Sequence, residues 1–232
     1  MKLLIVIPAY NEQENIARVV DNLIEHYPQY DYLVVNDGSK DRTAQICREK
    51  GYRFLDLPVN LGLAGAFQAG LRYAYRTGGG YNAAIQFDGD GQHDPSYIEE
   101  MAALMEKEGL DVVIGSRFKE EKKPFSLRML GNRMIQLAIK ITTGVTIKDP
   151  TSGMRLLNRP MIREFAQNLN YGPEPDTIAY LIRTGAKVEE VQVQMMDRIA
   201  GESYFNLRRS IEYMTRMCIS ILFFQWVRRR RD

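Results

Sequence analysis

The apolar positions along the chain change period repeatedly, and each change marks an element. Lys2–Ile7 is an almost wholly apolar run bounded by Pro8, which predicts a buried strand. From Glu14 the spacing becomes helical. Ile16, Val19, Val20, Leu23, Ile24 and Tyr27 fall on one face of an amphipathic helix, with Asn11 as its expected N-cap and Glu14 three residues on. Tyr32–Val35 and Tyr52–Leu57 predict further strands, separated by a helix over Arg42–Lys50 capped by Ser39 or Asp41. An Ala-rich helix follows from about Leu63 to Tyr75, then a strand at Ala83–Phe87, a helix at Pro95–Glu108 and a strand at Val112–Gly115. The second half is less regular. It predicts a helix over Leu127–Thr142 ended by Gly144, strands at Met154–Leu157 and Val188–Val193, and a helix over Thr177–Arg183 between them. A last helix is expected from about Leu207 to Arg231.

Strands alternating with helices at this spacing predict an α/β fold, a mostly parallel sheet flanked by helices. In such sheets ligands bind beyond the carboxyl ends of the strands. Those ends are Pro8–Glu12, Asn36–Asp41, Leu57–Leu61, Asp88–Asp94 and Ser116–Arg117, and several are dense in polar residues. No linker or repeat interrupts the pattern, so residues 1–204 are expected to form one domain and 205–232 an appended amphipathic, basic helix.

Composition narrows the class. At 232 residues, 45% hydrophobic and 26% charged, the chain is globular and not disordered. Cys47 and Cys218 are its two cysteines, with no CxxC, so neither a disulfide framework nor a zinc site is expected and a reducing cytosol is the simplest compartment. Net charge is +2, yet the stretch from Phe205 to Asp232 holds seven Arg against Glu212 and Asp232, leaving −3 for the remainder. An acidic body with a basic tail argues against a nucleic-acid binder and points to a local anionic partner. MKLLIVIP is too short for a signal peptide, and no stretch of about 18 uncharged apolar residues predicts a transmembrane helix.

The candidate chemistry centres on Phe87-Asp88-Gly89-Asp90-Gly91-Gln92-His93-Asp94-Pro95. Asp88 and Asp90 sit one residue apart on a glycine-rich turn just past a strand, and with the amide oxygen of Gln92 they would make a hard oxygen site for Mg²⁺ or Mn²⁺. Such an ion stabilises a diphosphate leaving group. The competing reading is a surface turn that caps the next helix. After the first strand, Tyr10 is suited to stack on a base and Glu12 to accept its hydrogen bonds, or the segment is a plain turn. Asp37 is suited to a nucleobase or ribose, or to an Asx-turn. Asn60–Gly65 lacks the GxGxxG pattern, so no dinucleotide site is expected.

The order IPAYNE, NDGSKD, NLGLAGA, DGDGQHDP and GSR resembles the family 2 inverting glycosyltransferases of the GT-A (Rossmann-like) fold. The resemblance implies a nucleotide-sugar donor and a divalent metal. Pro8, Ala9, Tyr10, Glu12, Asp37, Gly65, Asp88 and Gly89 would then hold the nucleotide, and Asp88, Asp90 and Gln92 the metal and diphosphate. Asp149–Arg155 and Asp197–Ser203 resemble the dolichol-phosphate mannose synthase branch and its bacterial polyprenyl-phosphate relatives. By that resemblance Arg198 would contact donor phosphate, while Arg117, Arg128 and Asn132 would face the lipid phosphate. Asn132 stands where Ser is common, and Tyr204 where Lys is usual.

An arginine fork suits phosphate, but for Arg133 and Arg155 a surface or helix-flanking role is the simpler expectation. A phosphate acceptor, largely ionised at neutral pH, needs positioning and charge neutralisation and no general base. A sugar hydroxyl would need a base, for which Glu174 and Asp176 are the candidates, Asp176 being equally an N-cap. The C-terminal helix, apolar from Ile211 to Trp226 and followed by Arg228–Arg231, suits a membrane surface at the inner face of the cell membrane. It equally suits docking on the domain, on a second copy in a homo-oligomer, or on a small membrane-protein partner. The expected activity is sugar transfer from a UDP-sugar to polyprenyl phosphate for envelope glycan assembly. The rivals are a glycosyltransferase with a saccharide or protein hydroxyl acceptor and an inactive nucleotide-binding scaffold.

Overall fold

The computed structural model describes residues 1–77, 80–121, 123–124, 126–168, 172–196 and 207–223. Strand β1 (Leu3–Ala9) is buried along nearly its whole length, as its apolar run predicts. Its side chains alternate between two cores, Leu4 and Val6 into one and Leu3, Ile5 and Ile7 into the other. Around it, among the described residues, lie β2 (Asp31–Asp37), β3 (Phe54–Leu57), β4 (Ala83–Gln86), β5 (Val112–Ser116), β6 (Arg155–Asn158) and β7 (Val188–Gln192). They form one sheet in the order β3-β2-β1-β4-β6-β5-β7. Every pairing is parallel except those of β6, which runs antiparallel to both β4 and β5.

Helices cover both faces. On one side α1 (Ile16–His26), α2 (Thr43–Glu49) and α4 (Tyr97–Glu108) bury Val20, Cys47 and Met101. On the other side lie α3 (Gly62–Arg76), α5 (Leu127–Thr143), α6 (Arg159–Gln167), α7 (Pro175–Arg183) and α8 (Leu207–Leu222). Phe67 of α3 and Phe165 of α6 meet edge to face at 6.4 Å between ring centres in that core. Truncating either to Ala would cost about 3–5 kcal/mol. The C-terminal helix packs against α5 and α7, and its Met217 and Ile221 belong to the same core. Gly131 of α5 permits the close approach: a Cβ there would lie 2.6 Å from Met214 Cγ.

Several expectations are corrected. Asn11 does not cap α1. The helix starts at Ile16, and Asn11 takes a left-handed φ of 56° to join the first two loops, its amide donating to Ser39 Oγ and its Oδ1 accepting from Lys40 N. Asp41, not Ser39, serves the start of α2, accepting from Thr43 N at 2.9 Å. β3 begins at Phe54, because Tyr52 turns inward to donate its hydroxyl to Asp21 at 2.6 Å. α7 begins at Pro175, so Asp176 lies inside its first turn and is no N-cap. The sequence reading has no counterpart of α6. Its cap is Asn158, which accepts from Met161 N at 3.0 Å, with Pro160 in the first turn. α8 is described to Leu222, and Phe224, Trp226 and Arg228–Arg231 lie outside the described residues.

Candidate active site

β1, β2 and β4 deliver their carboxyl ends to one edge of the sheet, and the reversed strand β6 delivers its beginning there too, since Gln86 pairs with Arg155. The turn after β4 carries Asp88 and Asp90. His93 anchors it: buried and edge to face with Phe87 at 5.4 Å, it accepts the Asp88 amide on Nδ1 at 3.0 Å. The neutral ring then keeps its proton on Nε2, which faces Asp88 Oδ2 at 3.5 Å. Asp88 Oδ1 accepts from Gln86 Nε2 at 3.3 Å, while the buried Oε1 of Gln86 has no hydrogen-bond partner. Asp90 Oδ1 accepts from Gln92 N at 3.0 Å. Arg18 lies against this turn, with Nη2 3.5 Å from Asp90 O.

Glycine lets other backbone crowd these carboxylates. A Cβ on Gly153 would lie 3.2 Å from Asp88 Oδ2, and one on Gly89 would lie 3.1 Å from Pro8 O. The site therefore gathers Pro8, Ala9 and Gly89 at one edge. Among the described residues no three His, Cys, Asp or Glu side chains group as a metal cage. Two carboxylates on one turn fit a Mg²⁺- or Mn²⁺-type ion that takes its remaining ligands from phosphate and water. Asp88, Asp90 and the Gln92 amide would hold it.

Asp37 is buried, and its Oδ1 accepts from Leu61 N at 2.7 Å, joining the β2 and β3 loops. Glu12 accepts from Asn15 Nδ2 at 2.8 Å, and its amide donates to Thr43 Oγ1 at 2.9 Å. Tyr10 is partly exposed at the same strand end. Gly65 lies in the first turn of α3, where a Cβ would meet the Leu61 side chain at 2.4 Å, so packing alone accounts for a glycine there. An open cleft of about 390 Å³ borders this end, lined by Asn11, Gln13, Glu14, Asn15, Lys40 and Asp41.

The acceptor candidates lie beyond β5. Arg117 donates through Nε and Nη2 to Asp149 at 2.7 and 2.9 Å. Asn132 donates to Thr151 Oγ1 at 2.8 Å and to Asp149 Oδ1 at 3.3 Å. Burial alone would raise the Asp149 pKa, but the hydrogen bonds and charge of Arg117 outweigh it and hold the carboxyl below its ordinary range. Glu190 fixes the chain here, accepting from Lys148 N and Asp149 N, each at 2.7 Å. Gln192 anchors the next loop, donating to Arg117 O and accepting from Glu120 N. Arg128 falls in the first turn of α5. Arg198 lies outside the described residues; the chain leaves them at Met196, whose amide donates to Gln92 O at 2.9 Å.

Arg155 is structural, but it is not the surface or helix-flanking charge expected of it. Fully buried, its guanidinium donates to the carbonyls of Ser152, Pro150 and Glu174, which pins the 149–154 loop. Glu174 and Asp176 face α8, taking hydrogen bonds from Tyr213 and, at 2.7 Å, from Ser220. Sequence reasoning missed the contacts of His93, Arg18 and Gly153 with the aspartate turn. Only His93 carried a signal, as a buried-turn histidine inside the aspartate motif.

Comparison with known proteins follows the same outline. Residues 4–165 match Glycosyl transferase family 2. The undecaprenyl-phosphate mannosyltransferase of Micrococcus luteus is 30% identical over 217 residues, covering 88% of this chain and 87% of that protein. A UDP-N-acetylglucosamine–dolichyl-phosphate N-acetylglucosaminyltransferase from Methanococcus voltae is 30% identical over 71% of this chain and 72% of its own. Among solved structures, glucosyl-3-phosphoglycerate synthase from Mycobacterium tuberculosis, in complex with Mn²⁺, UDP-glucose and phosphoglyceric acid, superposes with a TM-score of 0.68. It is 19% identical, covering 99% of this chain and 81% of that one, a likeness of fold.

Proposed function

Because the chain belongs to glycosyl transferase family 2, we propose that it moves a sugar from a UDP-sugar to the phosphate of a polyprenyl carrier, inverting the anomeric centre. The observation that carries the reading is the meeting, at one sheet edge, of the Asp88–Asp90 turn with the Arg117–Asn132 cluster, across the loop that Arg155 pins. One side offers hard oxygen ligands and the other cationic and amide donors, which suits two phosphate groups on either side of a sugar. A divalent ion held by Asp88, Asp90 and Gln92 would neutralise the departing diphosphate. Arg117 and Asn132 orient the acceptor phosphate, so rate enhancement comes from placement and electrostatics.

The acceptor assignment has chemical support. A phosphomonoester needs no proton removed, and the two carboxylates available as bases, Glu174 and Asp176, are engaged by Tyr213 and Ser220 of α8. The names of the relatives agree, since they act on undecaprenyl and dolichyl phosphates.

A lipid carrier requires a membrane-facing surface. Leu130, Met134, Leu137 and Ile141 of α5 are each more than half exposed and fall at i, i+4, i+7 and i+11, a single stripe. Arg133 and Lys140 flank it, and α5 has no acidic residue. Ile211, Ile219 and Phe223 add exposed apolar surface on and just after α8. Among the described residues no helix is long and apolar enough to cross a membrane, so this reading has the protein lying on the inner surface of the bilayer.

The test is incubation with Mn²⁺, polyprenyl phosphate and a panel of UDP- and GDP-sugars. A glycolipid from a UDP-sugar is expected. Transfer only to saccharide or peptide hydroxyls would overturn the acceptor, and turnover of GDP-sugars alone would overturn the base.

A further inference from the structure

On the acceptor side, among the described residues, Lys123 is a partly buried cation whose hydrogen bonds go to neutral groups. Lys123 Nζ donates to Asn132 Oδ1 and, at 2.8 Å, to Gln136 Oε1. It makes no ion pair among the described residues, whereas Arg117 beside it is matched by Asp149. Lys123 is partly buried, and burial is the main cause that lowers its pKa. Arg133 and Arg117 work in the same direction, against the charges of Asp149 and Glu190. An ammonium kept out of water without a carboxylate partner is costly, and an anionic ligand would remove that cost.

The surrounding contacts hold this ammonium in place. Arg133 Nη2 donates to the Lys123 carbonyl at 3.3 Å, and Lys148 Nζ donates to Lys119 O at 2.6 Å. Phe118 lies under both cations, its ring centre 5.7 Å from Lys123 Nζ and 5.3 Å from Arg117 Cζ. Asn132 and Gln136 stand one turn apart on α5, the helix that also carries the exposed apolar stripe. The stripe lies on a different face of α5 from Asn132, which is buried.

We propose that Lys123 is a direct ligand of the acceptor phosphate, held ready by Asn132 and Gln136 and exchanging an amide oxygen for a phosphate oxygen when the lipid arrives. The inference deepens the polyprenyl-phosphate reading and rests on it. It also gives Asn132 a second task, presenting Oδ1 to Lys123 while its Nδ2 holds Thr151.

The experiment uses farnesyl phosphate as a short soluble probe, with binding measured by calorimetry in the presence of Mn²⁺ and UDP. Acceptor and donor KM are measured in parallel with polyprenyl phosphate and UDP-sugar. Lys123→Met is expected to weaken farnesyl phosphate binding and raise acceptor KM by about 10- to 100-fold, the range of a charge-assisted hydrogen bond, with donor KM within about twofold. Lys123→Arg, which keeps the charge, is expected to recover most of the loss. Lys123→Gln, which keeps a donor for the amides, is expected to show the same loss at an unchanged Tm. Lys123→Met that binds farnesyl phosphate as wild type does, or that raises donor KM equally, overturns the role of Lys123 alone. Wild-type protein that neither binds farnesyl phosphate nor glycosylates polyprenyl phosphate overturns the underlying reading.

Discussion

Arg117 and Asp149 hold each other by two parallel hydrogen bonds, with the carboxylate wholly buried and the guanidinium three-quarters so. The pair fixes the direction of Arg117 through Nε and Nη2.

Replacing Asp149 with Asn would leave a mostly buried guanidinium without its counter-charge. Breaking such a pair costs about 3–5 kcal/mol, readable as a lower urea midpoint. The folded Asp149 pKa is depressed, so its contribution is fully present above the ordinary value of about 3.9 and is lost as pH falls through the lower folded value. Wild-type stability should therefore fall more steeply than that of Asp149→Asn below about pH 4. Parallel acid-unfolding curves would show that the pair contributes nothing.

Asp90→Asn removes one of the two carboxylates on the β4 turn and keeps its shape. Metal-dependent transfer should fall at least about 100-fold, with Tm little changed. Full Mn²⁺-dependent activity in this variant would remove Asp90 from the metal site.

His93→Phe keeps an aromatic ring beside Phe87 but leaves the Asp88 amide without an acceptor. Stability should drop by about 1–3 kcal/mol. Mn²⁺ affinity in the presence of UDP should weaken about 10- to 100-fold, as when a ligand's supporting group is lost. Unaltered Mn²⁺ affinity would mean that the aspartate needs no such support.

The α5 stripe is tested by Leu137→Gln together with Ile141→Gln. Both positions face solvent, so stability should change by less than about 0.5 kcal/mol each. Flotation with anionic liposomes should decline. Equal flotation of the double variant would assign membrane contact to other surfaces.

Which parts of this were legible in the sequence follows from what each signal reports. β1 was plain because burial on both faces leaves an uninterrupted apolar run. Asp88 and Asp90 were plain because chemistry and turn geometry coincide in one short segment. Asn11 misled because a cap residue at the right spacing was used for a contact with Ser39 and Lys40 across the sheet edge. Helix α6 was hidden because its cap, Asn158, is also the last residue of β6. Lys123 was unreadable for a different reason. Its meaning depends on partners 9 and 13 residues away and on the lack of a carboxylate, neither of which spacing reveals.

Strand β6 runs against its neighbours, so a segment entering the sheet shares a rim with one leaving it. Its entry is riveted by Arg155 through the carbonyls of Ser152 and Pro150, whereas the loop after β5 is tied at Lys119 and Glu120 to Lys148 and Gln192. A change in that loop would leave the entry of β6, and the Gly153 backbone beside Asp88, where they are. On the proposed function, acceptor choice is thus adjustable without disturbing the carboxylates of the β4 turn.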